Sequence, residues 1–127
     1  MAQFLYDSSY SPSAPVLTIG IGLPDEDTPH RQVQALIDSG ADATMLPKWI
    51  LTEIGARSVG RKYLRGVTGS RELVGLYLVV IHMPTGISYG IRAVATIDSG
   101  EVILGRDVLN QWRITLDGPG ETVEIEG

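Results

Sequence analysis

A mostly β fold, a small closed barrel with one short helix near its C-terminal end, is what this sequence predicts. Three observations carry the prediction. Apolar and β-branched residues recur in short runs, several of them alternating with polar residues as one-sided strands do. The composition of 15 Gly and 7 Pro is ordinary for a turn-rich β protein and high for a helical bundle. At 127 residues, 43% apolar and only 6% aromatic, the chain suits one domain with a core built mainly from aliphatic side chains.

The elements follow in order. Residues 1–15, rich in Ser, Tyr and Pro, read as a flexible arm, and 16–127 as the single folded domain. Residues 16–22 (VLTIGIG) are apolar and β-branched, hence a strand. Residues 24–30 form an acidic turn-rich loop, and 31–37 (RQVQALI) alternate as a half-buried strand does. A short helical turn is expected around Pro47 within 45–54, with Trp49 and Ile50 facing inward. Residues 63–68 and 73–80 flank Gly69-Ser70 as a hairpin with a mobile tip. A turn at 83–86 leads into a strand at 87–97, and a short buried strand follows at 101–104. Residues 107–112 are the best helix candidate, since Val108, Leu109 and Trp112 share a face. Residues 113–117 and 122–125 close the chain as a hairpin around Gly118-Pro119-Gly120.

Composition excludes several chemistries. With no Cys, disulfides, thiol catalysis and Cys-based zinc sites are ruled out. Ten Lys+Arg against 15 Asp+Glu give a net charge of -5, which provides no electrostatic drive toward nucleic acid or an anionic membrane. All the basic residues lie within 31–113, and Arg57, Arg61, Lys62, Arg65 and Arg71 read as a solvated basic loop. The longest apolar run, near 76–81, is too short to span a bilayer, and no secretory signal is visible, so a cytoplasmic location is expected.

Some motifs fail on inspection. Gly55 to Lys62 misses a phosphate-binding loop by one position, and Tyr63 stands where Ser or Thr is needed. Gly20-Ile21-Gly22 lacks a third glycine and the helix that should follow. His30 and His82 are isolated, without paired-ligand spacing, so neither a metal nor any other cofactor is expected.

The segment Ala35-Leu36-Ile37-Asp38-Ser39-Gly40-Ala41-Asp42-Ala43-Thr44 is different in kind. An apolar strand end delivers an Asp into a tight turn, where Gly permits close backbone approach and Ala leaves room beside the carboxylate. Taken alone, it also reads as a structural turn with a solvated Asp. Downstream, Val102-Ile103-Leu104-Gly105-Arg106-Asp107-Val108-Leu109 runs from an apolar strand through Gly into a helix, which suits a strand packed behind the Asp turn.

In this order and spacing the two motifs resemble those of the retroviral-type (retropepsin-like) aspartic proteases, over about residues 16–116. The glycine-bearing stretch Arg65-Gly66-Val67-Thr68-Gly69-Ser70 between them resembles the family's flap. The resemblance implies a homodimeric barrel of that type acting as an aspartic endopeptidase on peptide or protein substrates. One Asp38 from each subunit would meet at the two-fold axis. The carboxylates would share a proton, the ionised one activating a water and the other hydrogen-bonding the scissile carbonyl. Ser39 would brace the active-site loops and Gly40 would aim its N–H at the carboxylates. Ala41 and Asp42 would contact substrate, with Asp42 held by Arg106. Gly66, Val67, Thr68 and Gly69 would close over an extended peptide, and Val67 and Ile103 would wall its pockets.

A second Asp-Ser-Gly triplet, Asp98-Ser99-Gly100, invites a two-aspartate reading of a single chain. Glu101 replaces the small residue there and no second Leu-Gly-Arg strand follows, so a surface turn is expected instead. Two other functional readings stand beside the enzyme. One is a catalytically silent peptide-binding or dimerisation module of the same fold. The other is a segment of a longer polyprotein, with residues 1–15 as a linker.

Overall fold

Apolar runs and alternating stretches become strands where they find cover, and among the described residues ten segments do so. The computed structural model describes residues 2–65, 68–97 and 100–126. Its elements are β1 (Ala2–Leu5), β2 (Val16–Gly22), β3 (Arg31–Ile37), β4 (Met45–Pro47), α1 (Lys48–Ile54), β5 (Arg57–Arg65), β6 (Arg71–His82), β7 (Ser88–Thr96), β8 (Val102–Leu104), α2 (Arg106–Leu109), β9 (Arg113–Asp117) and β10 (Thr122–Glu126).

The main sheet runs β2-β3-β8-β4-β7-β6-β5, and β2 also pairs with β6 through Gly20↔His82, Ile21↔Ile81 and Gly22↔Val80. That extra pairing closes six strands into a mixed barrel and leaves β5 as an outer edge. The expected mostly β, closed-barrel fold is the observed one. Strand β2 is buried at every position except Thr18, because it packs inside the closure with both neighbours in place. Gly20 is obligatory there: a Cβ would lie 2.7 Å from the ring of Pro29 in the crossing loop. Leu17, Ile19, Ile21, Leu46, Leu51 and Ile81 form the heart of the core. Each such side chain contributes roughly 1.5–3 kcal/mol by leaving water. Among the described residues no helix is long and apolar enough to cross a membrane.

Four expectations differ from what is found. Ala2–Leu5, expected within a flexible arm, is a strand: it pairs antiparallel with β10 from Ala2↔Ile125 to Leu5↔Thr122, making the three-stranded sheet β1-β10-β9. The rest of that segment folds back through Asp7↔Ala14, and Tyr10 Oη donates to Glu101 Oε1 at 3.0 Å. The supposed basic loop is largely strand β5, bulged between Ser58 and Gly60, where an unpaired sheet edge leaves Arg57, Arg61 and Arg65 in water. Trp49 points outward at 52% exposure. The helical period of α1 assigns Ile50, Leu51 and Ile54 to the core, so Trp49 packs under the Arg31 guanidinium, 4.7 Å from its ring centre. Helix α2 starts at Arg106 and spans four residues, shorter than 107–112.

Candidate active site

The barrel puts the two motifs side by side. Strand β3 lies parallel to β8 in the register Ala35↔Val102, Leu36↔Ile103, Ile37↔Leu104, and Met45 of β4 pairs with Ile103 from the other side. The ladder extends one rung beyond β3, since the Asp38 N–H donates to the Leu104 carbonyl at 3.1 Å. The chain then turns sharply. Ala41 N–H donates to the Asp38 carbonyl at 3.1 Å, and Gly40 N–H donates to Asp38 Oδ1 at 2.9 Å. A Cβ on Gly40 would sit 3.1 Å from that same oxygen and press on the carboxylate, a contact that glycine avoids. The partly buried carboxylate is therefore aimed by the backbone of its own loop.

The second motif braces this loop from behind. Arg106 N–H donates to the Ala41 carbonyl at 2.9 Å, and its guanidinium Nη1 donates to the Ser39 carbonyl at 2.7 Å. The expected Asp42–Arg106 ion pair is absent. Among the described residues the ion pairs are His30–Glu26 and Arg31–Glu53, and Arg106 engages a loop carbonyl instead. Asp42 is exposed and stands with Arg106 on the wall of one cavity.

Two residues in the motifs carry more than sequence reasoning assigned them. Thr44 is fully buried; its hydroxyl donates to Asp107 Oδ1 at 2.7 Å and accepts from the Gly105 N–H at 3.1 Å. Its backbone N–H donates to Asp107 Oδ2 at 3.0 Å, and Val108 N–H donates to Asp107 Oδ1 at the same distance. Gly105 passes so close that a Cβ there would meet Ala43 backbone at 2.5 Å. The available signal was a polar Thr inside an otherwise small and apolar stretch, and an acid at the head of a helix.

Ile103 is half-buried between Leu36 and Met45. The β5–β6 hairpin runs from Arg57↔Leu78 to Arg65↔Arg71, and at its tip Gly69 adopts φ 83° while Thr68 and Ser70 hydroxyls lie 3.2 Å apart. Among the described residues no hydrogen bond joins this tip to the Asp38 loop. Gly66 and Val67, and the triplet residues Asp98 and Ser99, lie outside the described residues. A cavity of about 470 Å³ lies between hairpin and loop, and a second of about 560 Å³ lies between the hairpin and the end of β7; the two share Met45 and Leu64 as common wall.

Residues 11–117 match the family described as retroviral aspartyl protease. The chain belongs to that family. Solved structures with a similar fold include EIAV protease in complex with the inhibitor HBY-793, at 23% identity and TM-score 0.60, covering 77% of this chain and 86% of that one. A retropepsin-like aspartic protease from Rickettsia conorii shares 12% identity at TM-score 0.66, covering 98% of this chain and 90% of the other. The retroviral protease-like domain of Ddi1 from Leishmania major shares 16% identity at TM-score 0.57, covering 90% and 89% respectively. No curated protein matches the chain. At these identities the structures speak to the retropepsin-like fold, and family membership rests on the match across 11–117.

Proposed function

We propose that this chain is an aspartic endopeptidase that works as a homodimer, with one Asp38 from each subunit forming the catalytic pair. The observation that carries the reading is the pinned Asp38 turn. Its carboxylate accepts from Gly40 N–H, its own N–H is fixed to Leu104, and Arg106 clamps the carbonyls of Ser39 and Ala41. So much rigid support around one partly buried carboxylate suits a group that must meet its twin at fixed distance, and a structural turn has no need of it.

In the proposed reaction the two carboxylates share one proton, because like charges a few ångström apart disfavour double ionisation; aspartic proteases are the type case. The ionised member takes a proton from a water held between them as it attacks the scissile carbonyl. The protonated member hydrogen-bonds the carbonyl oxygen and then helps protonate the leaving amine. The macroscopic titration belongs to the pair. Ser39 and Gly40 complete the loop, Ala41, Asp42 and Ile103 border the peptide, and Arg106 positions the turn. The hairpin tip, with Gly66, Val67, Thr68 and Gly69, acts as the flap over an extended substrate.

The test is Asp38→Asn in the full chain. It should unfold at the wild-type midpoint and lose all peptide cleavage, while Asp98→Asn keeps most activity. Wild-type specific activity should fall on dilution through dimer dissociation. Cleavage that survives Asp38→Asn would overturn the reading. A chain that binds peptides without cleaving them would be the silent module instead.

A further inference from the structure

The two cavities beneath the β5–β6 hairpin differ in chemistry. The smaller, against the Asp38 loop, is bordered by Lys62, Arg65 and Arg106, and Asp42 is its one carboxylate among the described residues. Its neighbour is walled mainly by apolar groups, Met45, Leu64, Leu73, Val74, Tyr77 and Ile97 among them, and its two charged residues among the described ones, Lys48 and Glu72, are of opposite sign. Lys62 is half-buried and pairs with Val74, and alternation puts it on the same hairpin face as Leu64, the residue common to both cavities.

Among the described residues none of the three cations takes part in an ion pair. The Arg106 guanidinium donates to a neutral carbonyl and not to a carboxylate. In a chain of net charge -5 this is a local reversal of sign. A carboxylate entering the smaller cavity meets three attractive charges and one repulsive one, and an ammonium group meets the opposite. An extended peptide returns a side chain to the same side every second residue, after roughly 7 Å, and the two cavities adjoin through the shared wall of Met45 and Leu64.

We propose that this cleft selects peptides that present a large apolar side chain to one cavity and, two residues away, an Asp or Glu to the cavity at Lys62. The proposal rests on the peptidase reading above for the nature of its ligand and specifies the substrate class.

The experiment uses peptides identical except for Glu, Gln or Lys two residues to either side of a fixed Leu. Each is measured twice: for kcat/KM with the wild-type chain, and for binding to full-length Asp38→Asn by fluorescence anisotropy. In one of the two placements the Glu peptide should be bound and cleaved about fivefold better than its Gln counterpart, the order expected of a partly exposed ion pair, with Lys weaker still. High salt should narrow the gap. Lys62→Gln should bring Glu and Gln together, and Lys62→Glu should invert the order; both changes sit on an exposed-edge strand that tolerates polar residues. Equal binding of all three peptides overturns the proposal, as does a Glu preference unchanged in both Lys62 variants, or no binding of any peptide. Glu-selective binding without cleavage would sink the peptidase reading and leave the charge selectivity standing; cleavage without charge selectivity would do the reverse.

Discussion

The hydroxyl of Thr44 donates to Asp107 at 2.7 Å across a sequence separation of 63 residues, and this bond ties the far side of the Asp38 loop to the head of α2. The same oxygen accepts from Gly105 N–H. Thr44→Val keeps the shape and removes both partners, leaving a buried N–H unpaired and the Asp107 carboxylate short of one donor. It should cost about 2–3 kcal/mol. Thr44→Ser retains the hydroxyl and should lose about 1 kcal/mol for the missing methyl. Urea unfolding measures both, and equal stability of Thr44→Val and wild type would show that the clamp is dispensable.

Gly105→Ala presses a methyl into the backbone of Ala43, where neither side can rotate away. A loss of about 3 kcal/mol is expected. Gly118→Ala is the control, because a Cβ there meets nothing within 4 Å; it should stay within about 0.5 kcal/mol of wild type in thermal unfolding.

Arg106→Ala releases the Ser39 carbonyl and one face of the turn. Under the proposed reaction, kcat should drop about 10- to 100-fold, because small displacements of a reacting group are costly. Arg106→Lys supplies a single donor in place of the planar fork and should recover only part of that loss. Steady-state kinetics on protein confirmed as folded separates this from a general loss of stability.

Asp7 supplies a pH dependence of known sign. Hydrogen bonds from the Ser9 side chain, then the Ser9 backbone, then Gln34 hold its carboxyl below the ordinary value of 3.8. Ser9 N–H donates to Oδ1 at 2.9 Å and Gln34 Nε2 donates to Oδ2 at 2.6 Å, so Asp7 anchors the N-terminal segment to β3. A lowered folded value means the anchor's contribution is in place well above 3.8 and is lost as the pH falls through the folded value beneath it. NMR signals of the Gln34 side-chain amide should therefore shift with a midpoint below pH 3.8, and Asp7→Asn should abolish the transition.

Much of this architecture is legible without coordinates. Strands β2 and β3 announce themselves by apolar runs and alternation, and Gly118-Pro119-Gly120 marks the turn between β9 and β10. The Asp38 and Ile103–Arg106 motifs even disclose that β3 and β8 must be neighbours, as the register Leu36↔Ile103 shows. Other features are hidden for identifiable reasons. Arg57, Arg61 and Arg65 mask β5 because a sheet edge has no second neighbour to demand apolar side chains. β1 has no local signature because its partner β10 lies at the other end of the chain. The Asp42–Arg106 pairing that the resemblance implies is not found, because the groups Arg106 satisfies are the carbonyls of Ser39 and Ala41, which every residue carries and no sequence marks. Trp49 shows size yielding to period: Ile50, Leu51 and Ile54 occupy the one face α1 can bury.

The supports of Asp38 also impose an order of events in time. The turn itself is local, but Leu104, Arg106 and the Thr44–Asp107 clamp come more than sixty residues later. Long-range contacts of this kind form only after the intervening chain has been gathered in, late in folding. A growing chain on the ribosome thus carries its candidate reactive carboxylate long before it can hold that group rigid, and the barrel must be essentially finished before the site exists.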